Sequence, residues 1–135
     1  MAKQSTKENF TSLVEVTGLK FSYGEKEILN DISFTVKPNC LVAVLGVNGT
    51  GKSTLIKCLN KINQINDGEV RILGQSIEDL TINELAKKVA YVPQNVSTSF
   101  PIDVYDVILL GRRPYLTWSV GEDDRKIVAR IIEKL

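Results

Sequence analysis

The residues with the clearest chemistry lie between positions 46 and 54: Gly46, Val47, Asn48, Gly49, Thr50, Gly51, Lys52, Ser53 and Thr54. Gly46, Gly51, Lys52 and Ser53 fill the fixed places of the pattern G-x-x-x-x-G-K-[ST], which wraps phosphate groups. Each residue type has a physical reason to be there. Glycines let the main chain close around an anion with no Cβ in the way. Successive N–H groups then turn inward as a nest, at the positive end of the helix that follows. The Lys52 ammonium is long enough to reach the β- and γ-phosphates. The Ser53 hydroxyl suits Mg²⁺, a hard cation that takes oxygen ligands and keeps several waters.

These residues need a rigid strand before them and a helix after them. Leu41-Val42-Ala43-Val44-Leu45 has no alternating polar face and predicts a fully buried strand. Leu55, Ile56 and Leu59 recur at helical spacing, which predicts a helix from Lys52 to about Lys61. Upstream, residues 12–23 partly alternate and predict a strand broken at Gly18, followed by a turn over Gly24–Glu27. Ile28–Val36 continues extended, with Ile32, Phe34 and Val36 on one face, until Pro38-Asn39. Downstream, Asp67-Gly68 is a turn signal, and Glu69–Leu73 alternates like a half-exposed strand closed by Gly74. Thr81-Ile82-Asn83-Glu84 has capping-box spacing before a short helix over Leu85–Lys88.

Val89–Val92 predicts a second short apolar strand, stopped by Pro93, and a loop runs from Gln94 to Pro101. Ile102–Leu110 predicts a helix, with Gly111 placed where a left-handed residue is often needed. Residues 112–118 are irregular in pattern. A last helix begins at Ser119–Glu122 or at Gly121–Asp124, with acids in its first turn matching the helix dipole. Ile127, Val128, Ile131 and Ile132 form its apolar stripe, which continues to Leu135 with no stop signal. Strands alternating with helices predict an α/β fold.

Composition narrows the class. A length of 135 residues predicts one domain or a piece of one. The apolar share of 43% and charged share of 24% are those of an ordinary soluble globular protein. The net charge of +1 lacks the basic excess of a nucleic-acid surface. No apolar run reaches the length that crosses a bilayer, and residues 1–10 lack the apolar segment of a signal peptide. They are expected to be a flexible lead-in. Cys40 and Cys58 form no metal spacing, and both are expected to be small core residues.

Three features recur at matching distances: Phe21-Ser22-Tyr23-Gly24, the loop GVNGTGKST, and Tyr91-Val92-Pro93-Gln94. Together they resemble the ATP-binding subunit of ABC transporters, over nearly the whole chain from about Leu13. The loop alone would say only P-loop NTPase. The resemblance implies a P-loop ABC-ATPase core with a mixed sheet plus an N-terminal antiparallel β subdomain, incomplete at its C-terminal side. It implies a nucleotide-binding core over 11–94 and the start of a helical subdomain over 95–135. Its ligands would be ATP and Mg²⁺. Tyr23 would stack on adenine, as a flat aromatic ring can. Gln94 would contact Mg²⁺ or its water and sense the membrane subunit, since its amide both donates and accepts.

The stretch Pro101–Tyr115 is similar to the subgroup that powers uptake of iron–siderophore, haem or cobalamin compounds. There it would face the membrane-spanning permease subunits, with Arg112 and Arg113 either docking charges or a solvated pair at a helix end. The implied partners are a second copy of the ATPase subunit and the permease, and the implied location is the cytoplasmic face of the cell membrane. An ABC-type ATPase that acts on DNA or ribosomes is the alternative of another class. A nucleotide-binding module with no catalysis is a third.

Hydrolysis in this family needs further parts: an apolar strand ending in Asp-Glu, a Leu-Ser-Gly-Gly-type signature and a switch histidine. The Asp helps hold Mg²⁺, and the Glu positions or polarises water. The 135 residues contain no such strand, no such signature and no histidine. The expectation is therefore the N-terminal portion of a longer ATPase, one that binds ATP and does not turn it over alone.

Overall fold

The computed structural model describes residues 11–94, 101–116 and 119–135. The chain divides into two compact units, Met1–Leu85 and Ala86–Leu135.

The first unit is built on a four-stranded antiparallel sheet: β1 (Val14–Tyr23), β2 (Lys26–Val36), β3 (Asp67–Ile72) and β4 (Gln75–Ser76), in the order β2-β1-β3-β4. β1 is central, with Tyr23 opposite Lys26 on one side and Val14 opposite Ile72 on the other. The sheet forms because alternate residues reach an apolar interior. Val16, Leu19, Phe21, Leu29, Val70 and Ile72 are all buried, and α1 (Lys52–Leu59) buries Leu55 and Cys58. The break expected at Gly18 is a bulge: Gly18 has φ +60, and the β1–β3 register shifts between Thr17 and Lys20. Ile32, Phe34 and Val36 do share a face, each half-buried between exposed neighbours.

Asp67-Gly68 does not make the expected turn. It opens β3 opposite the bulge, with Asp67 paired to Lys20. A Cβ on Gly68 would lie 2.6 Å from the Thr17 carbonyl oxygen, so a glycine is needed where the two strands crowd together. Gly74 (φ +75) turns β3 into β4. A 3₁₀ turn at Ile77–Asp79 then leads to α2 (Ile82–Ala86).

The expected capping box exists. The Thr81 N–H donates to the Glu84 carboxylate at 2.8 Å, and the Glu84 N–H donates to the Thr81 hydroxyl at 3.2 Å. The helix therefore starts at Ile82, one turn ahead of the expected Leu85–Lys88.

Two expected strands are absent. Leu41–Leu45 pairs with no strand among the described residues, and it is exposed rather than buried. Val89–Val92 likewise has no ladder, and Val92 is exposed. Both have strand composition, yet a parallel strand exists only where neighbours accept and donate its main-chain hydrogen bonds. Cys40 is exposed with the 41–45 segment and is not a core residue, whereas Cys58 is.

The second unit carries α3 (Val104–Leu110), a 3₁₀ turn at Arg113–Tyr115 and α4 (Glu122–Ile132). α3 and α4 pack together, and Val128 is wholly buried. The rest of the expected α4 stripe is partly open, with Ile131 and Ile132 about two-fifths exposed. Gly121 caps the start of α4, and its N–H donates to Asp124 at 3.2 Å.

Gly111 is right-handed (φ −63), not left-handed as expected. The chain continues from α3 into the 3₁₀ turn without reversing, so no left-handed residue is required. Arg113 is exposed, while Arg112 is part-buried and paired within its own unit. Its Nε donates to Asp124 at 2.9 Å, and its guanidinium lies over the Tyr115 ring, 4.4 Å from the centroid. Among the described residues no helix is long and apolar enough to cross a membrane. The expected lead-in at 1–10, most of the loop after Gln94, and Thr117 and Trp118 lie outside the described residues.

Candidate phosphate-binding loop and its aromatic neighbour

The loop between the 41–45 segment and α1 depends on three glycines. Gly46, Gly49 and Gly51 have φ +157, +85 and +90. Gly51 is the residue before α1, and its left-handed conformation swings the chain into the helix. A side chain there would also be crowded: an added Cβ would lie 3.0 Å from Ile28 Cγ2 and 3.1 Å from Leu29 Cδ2. Sequence spacing marks Gly51 as a fixed position of the motif. Only the structure reveals that β2 presses on it.

Lys52, the first residue of α1, folds back over the loop. Its ammonium donates to the carbonyl oxygens of Gly46 and Val47, both at 2.7 Å. Thr50 ties the same turn from within, its hydroxyl donating to the Val47 oxygen at 2.9 Å. An ammonium has three donors. Two are spent holding the loop's shape, and one remains for an incoming acceptor. The side chain thus braces the cradle and sets a positive charge at its mouth.

Val47, Asn48, Gly49, Thr50 and Ser53 are exposed, and Thr54 is half-buried. Behind the loop lies a cavity of about 230 Å³ with apolar walls that include Leu29, Ile32, Val44 and Leu55. The donor set suits a polyphosphate with Mg²⁺. An exposed Ser53 hydroxyl can supply one oxygen ligand, with phosphate oxygens and water supplying the others.

Tyr23 ends β1 and is about half exposed. Its ring meets Phe21 edge-on at 4.7 Å, and its hydroxyl accepts a hydrogen bond from the Asn63 amide at 3.0 Å. Tyr23 pairs with Lys26, two positions along β2 from Ile28, the residue that touches Gly51. Sequence reasoning missed Asn63, because an asparagine after a helix carries no motif. Gln94 lies at an exposed bend after Pro93, in the second unit.

A helix entered through a glycine loop, with a lysine bracing that loop, defines the phosphate-binding class. The wider comparison is more specific. Residues 29–135 match the family described as ABC transporter. An uncharacterized ABC transporter ATP-binding protein of Methanocaldococcus jannaschii is 43% identical over 91% of this chain and 48% of its own length. The hemin import ATP-binding protein of Thermobifida fusca is 39% identical over 82% of this chain and 39% of its own length. The solved structure of an ATP-binding subunit of an ABC transporter aligns with a TM-score of 0.69 at 27% identity, over 83% of this chain and 45% of that one. The chain belongs to the ABC transporter family, as an ATP-binding domain with the α/β P-loop fold. It spans less than half the length of these relatives.

Proposed function

We propose that this chain is the nucleotide-binding part of an ABC importer's ATPase subunit, holding ATP and Mg²⁺ for transport of an iron–siderophore, haem or cobalamin compound. The observation that carries the ligand assignment is the Lys52 ammonium seated on the Gly46 and Val47 carbonyls, which leaves one donor for phosphate. In this reading residues 46–54 wrap the triphosphate, with Lys52 on its β- and γ-groups. Ser53 and Gln94 hold Mg²⁺ or its water, and Tyr23 stacks on adenine. The metal would offset charge on the phosphates.

The cargo class is supported by the resemblance of Pro101–Tyr115 and by the relative named for hemin import. In the whole protein two such subunits would clamp two ATP molecules on the cytoplasmic face of the membrane and drive permease subunits. Residues 11–94 would be the core, and 95–135 the start of the helical subdomain that faces the permease.

The chain by itself would bind ATP without hydrolysing it, because the acidic strand, signature and switch histidine are not among its 135 residues. Titration calorimetry with Mg-ATP and with Mg-tripolyphosphate tests the binding. Both ligands should bind, and Lys52→Ala should weaken both by about ten- to a hundredfold, the worth of a charge-assisted hydrogen bond. Equal affinity of the variant and the parent chain would refute the assignment.

A further inference from the structure

The segment between α1 and β3 is stitched to the end of β1 at three points. The Asn63 amide donates to the Tyr23 hydroxyl at 3.0 Å. The Ser22 N–H donates to the Asn66 side-chain oxygen at 2.7 Å, and the Asn66 N–H donates to the Lys20 carbonyl at 3.0 Å. Asn66 thus meets β1 at main-chain groups of the strand, while the Asn63 amide meets it at the Tyr23 side chain. Nothing in the strand ladder requires that contact, because Tyr23 already pairs through its backbone with Lys26.

We infer that Asn63 is a positioning residue for the base: it locks Tyr23 in the orientation that receives a purine ring. The inference rests on the proposed stacking role of Tyr23. A tyrosine on a strand end is free to rotate about χ1, and an exposed ring loses that freedom when a base stacks on it. Here two contacts remove the freedom beforehand. The Phe21 ring, itself buried and nearly perpendicular to that of Tyr23, blocks one direction, and the Asn63 amide holds the distal oxygen. The ring is then preorganised while about half of it stays open for a ligand.

The same segment leaves the far end of α1, whose near end begins at the phosphate loop. One helix therefore connects the groups that meet the phosphates to the group that steadies the aromatic. The ligand this arrangement favours is a nucleoside triphosphate over a bare polyphosphate.

Calorimetry on the 135-residue chain tests the inference with Mg-ATP and Mg-tripolyphosphate, using Asn63→Ala, Tyr23→Phe, the double variant and Tyr23→Ala. Asn63→Ala should weaken ATP binding about two- to tenfold, the range of one modest hydrogen bond, and leave tripolyphosphate unchanged. Tyr23→Phe should do the same, and the double variant should be no weaker than either single one. Fully additive losses, or equal losses for both ligands, would overturn the role of Asn63. If Tyr23→Ala leaves ATP and tripolyphosphate binding both unchanged, the stacking reading itself fails and the inference with it. If the parent chain binds neither ligand, the phosphate-loop reading has failed first.

Discussion

Lys52 illustrates how much one side chain can do. In the proposed reading its charge is what a phosphate would meet, and its two bonds to Gly46 and Val47 hold the loop that presents it. Lys52→Arg should therefore bind ATP less well despite the retained charge, because a planar guanidinium does not fit a site braced by a compact ammonium. Calorimetry reads the loss directly.

The two cysteines separate by burial. The thiol of Cys58 is pushed up from 9.0 to about 11 by desolvation inside the core, while Cys40 is exposed. A thiol whose folded pKa is raised contributes stability below its unfolded value, and that contribution is lost as pH climbs through the folded value. Urea melts should show stability falling between pH 9.0 and about 11, and Cys58→Ala should flatten that fall. In the native chain a maleimide should label Cys40 and spare Cys58.

At the scale of elements, the joints carry the information. Lys61 follows α1 in a left-handed conformation (φ +55), and its ammonium collects three carbonyls: Ile77 at 2.8 Å, Glu78 at 3.2 Å and Leu80 at 2.9 Å. It closes the end of the 3₁₀ turn and binds it to the P-loop helix. Lys61→Met should lower stability by about 1–3 kcal/mol in denaturant melts, since carbonyls of a part-buried turn lose a charged donor. The bulge of β1 gives a second measure. Gly68→Ala should cost more than about 1 kcal/mol, because its Cβ would drive into the Thr17–Gly18 backbone and its φ of +90 suits glycine. In the second unit, Asp124 serves both the Gly121 N–H and Arg112, so Asp124→Ala should reduce the far-UV helical signal of α4.

For the whole molecule, the most consequential feature is an apolar stretch that no strand among the described residues covers. Leu41 is fully exposed, and Leu45 and Val47 nearly so. Exposed apolar backbone that pairs with no strand among the described residues is a template for pairing with another chain. The 135-residue chain should accordingly self-associate, with a mass by light scattering that rises with concentration. Leu41→Lys combined with Leu45→Lys should reduce that rise. A phosphate-release assay should give background turnover under the same conditions.

What the amino-acid order determined by itself was local. The glycine loop before α1, the Thr81 capping box, the Gly18 break and the alternation of β2 follow from residue type and spacing, because their reasons lie within a few bonds of each residue. What only the tertiary structure decided was whether an apolar run has a neighbour and which side chains meet across the chain. Leu41–Leu45 has every intrinsic preference for a strand, yet a strand is a relation between two segments, and no described segment pairs with it. Asn63 has no local signature, and it acquires one only where the end of β1 brings Tyr23 within hydrogen-bond reach.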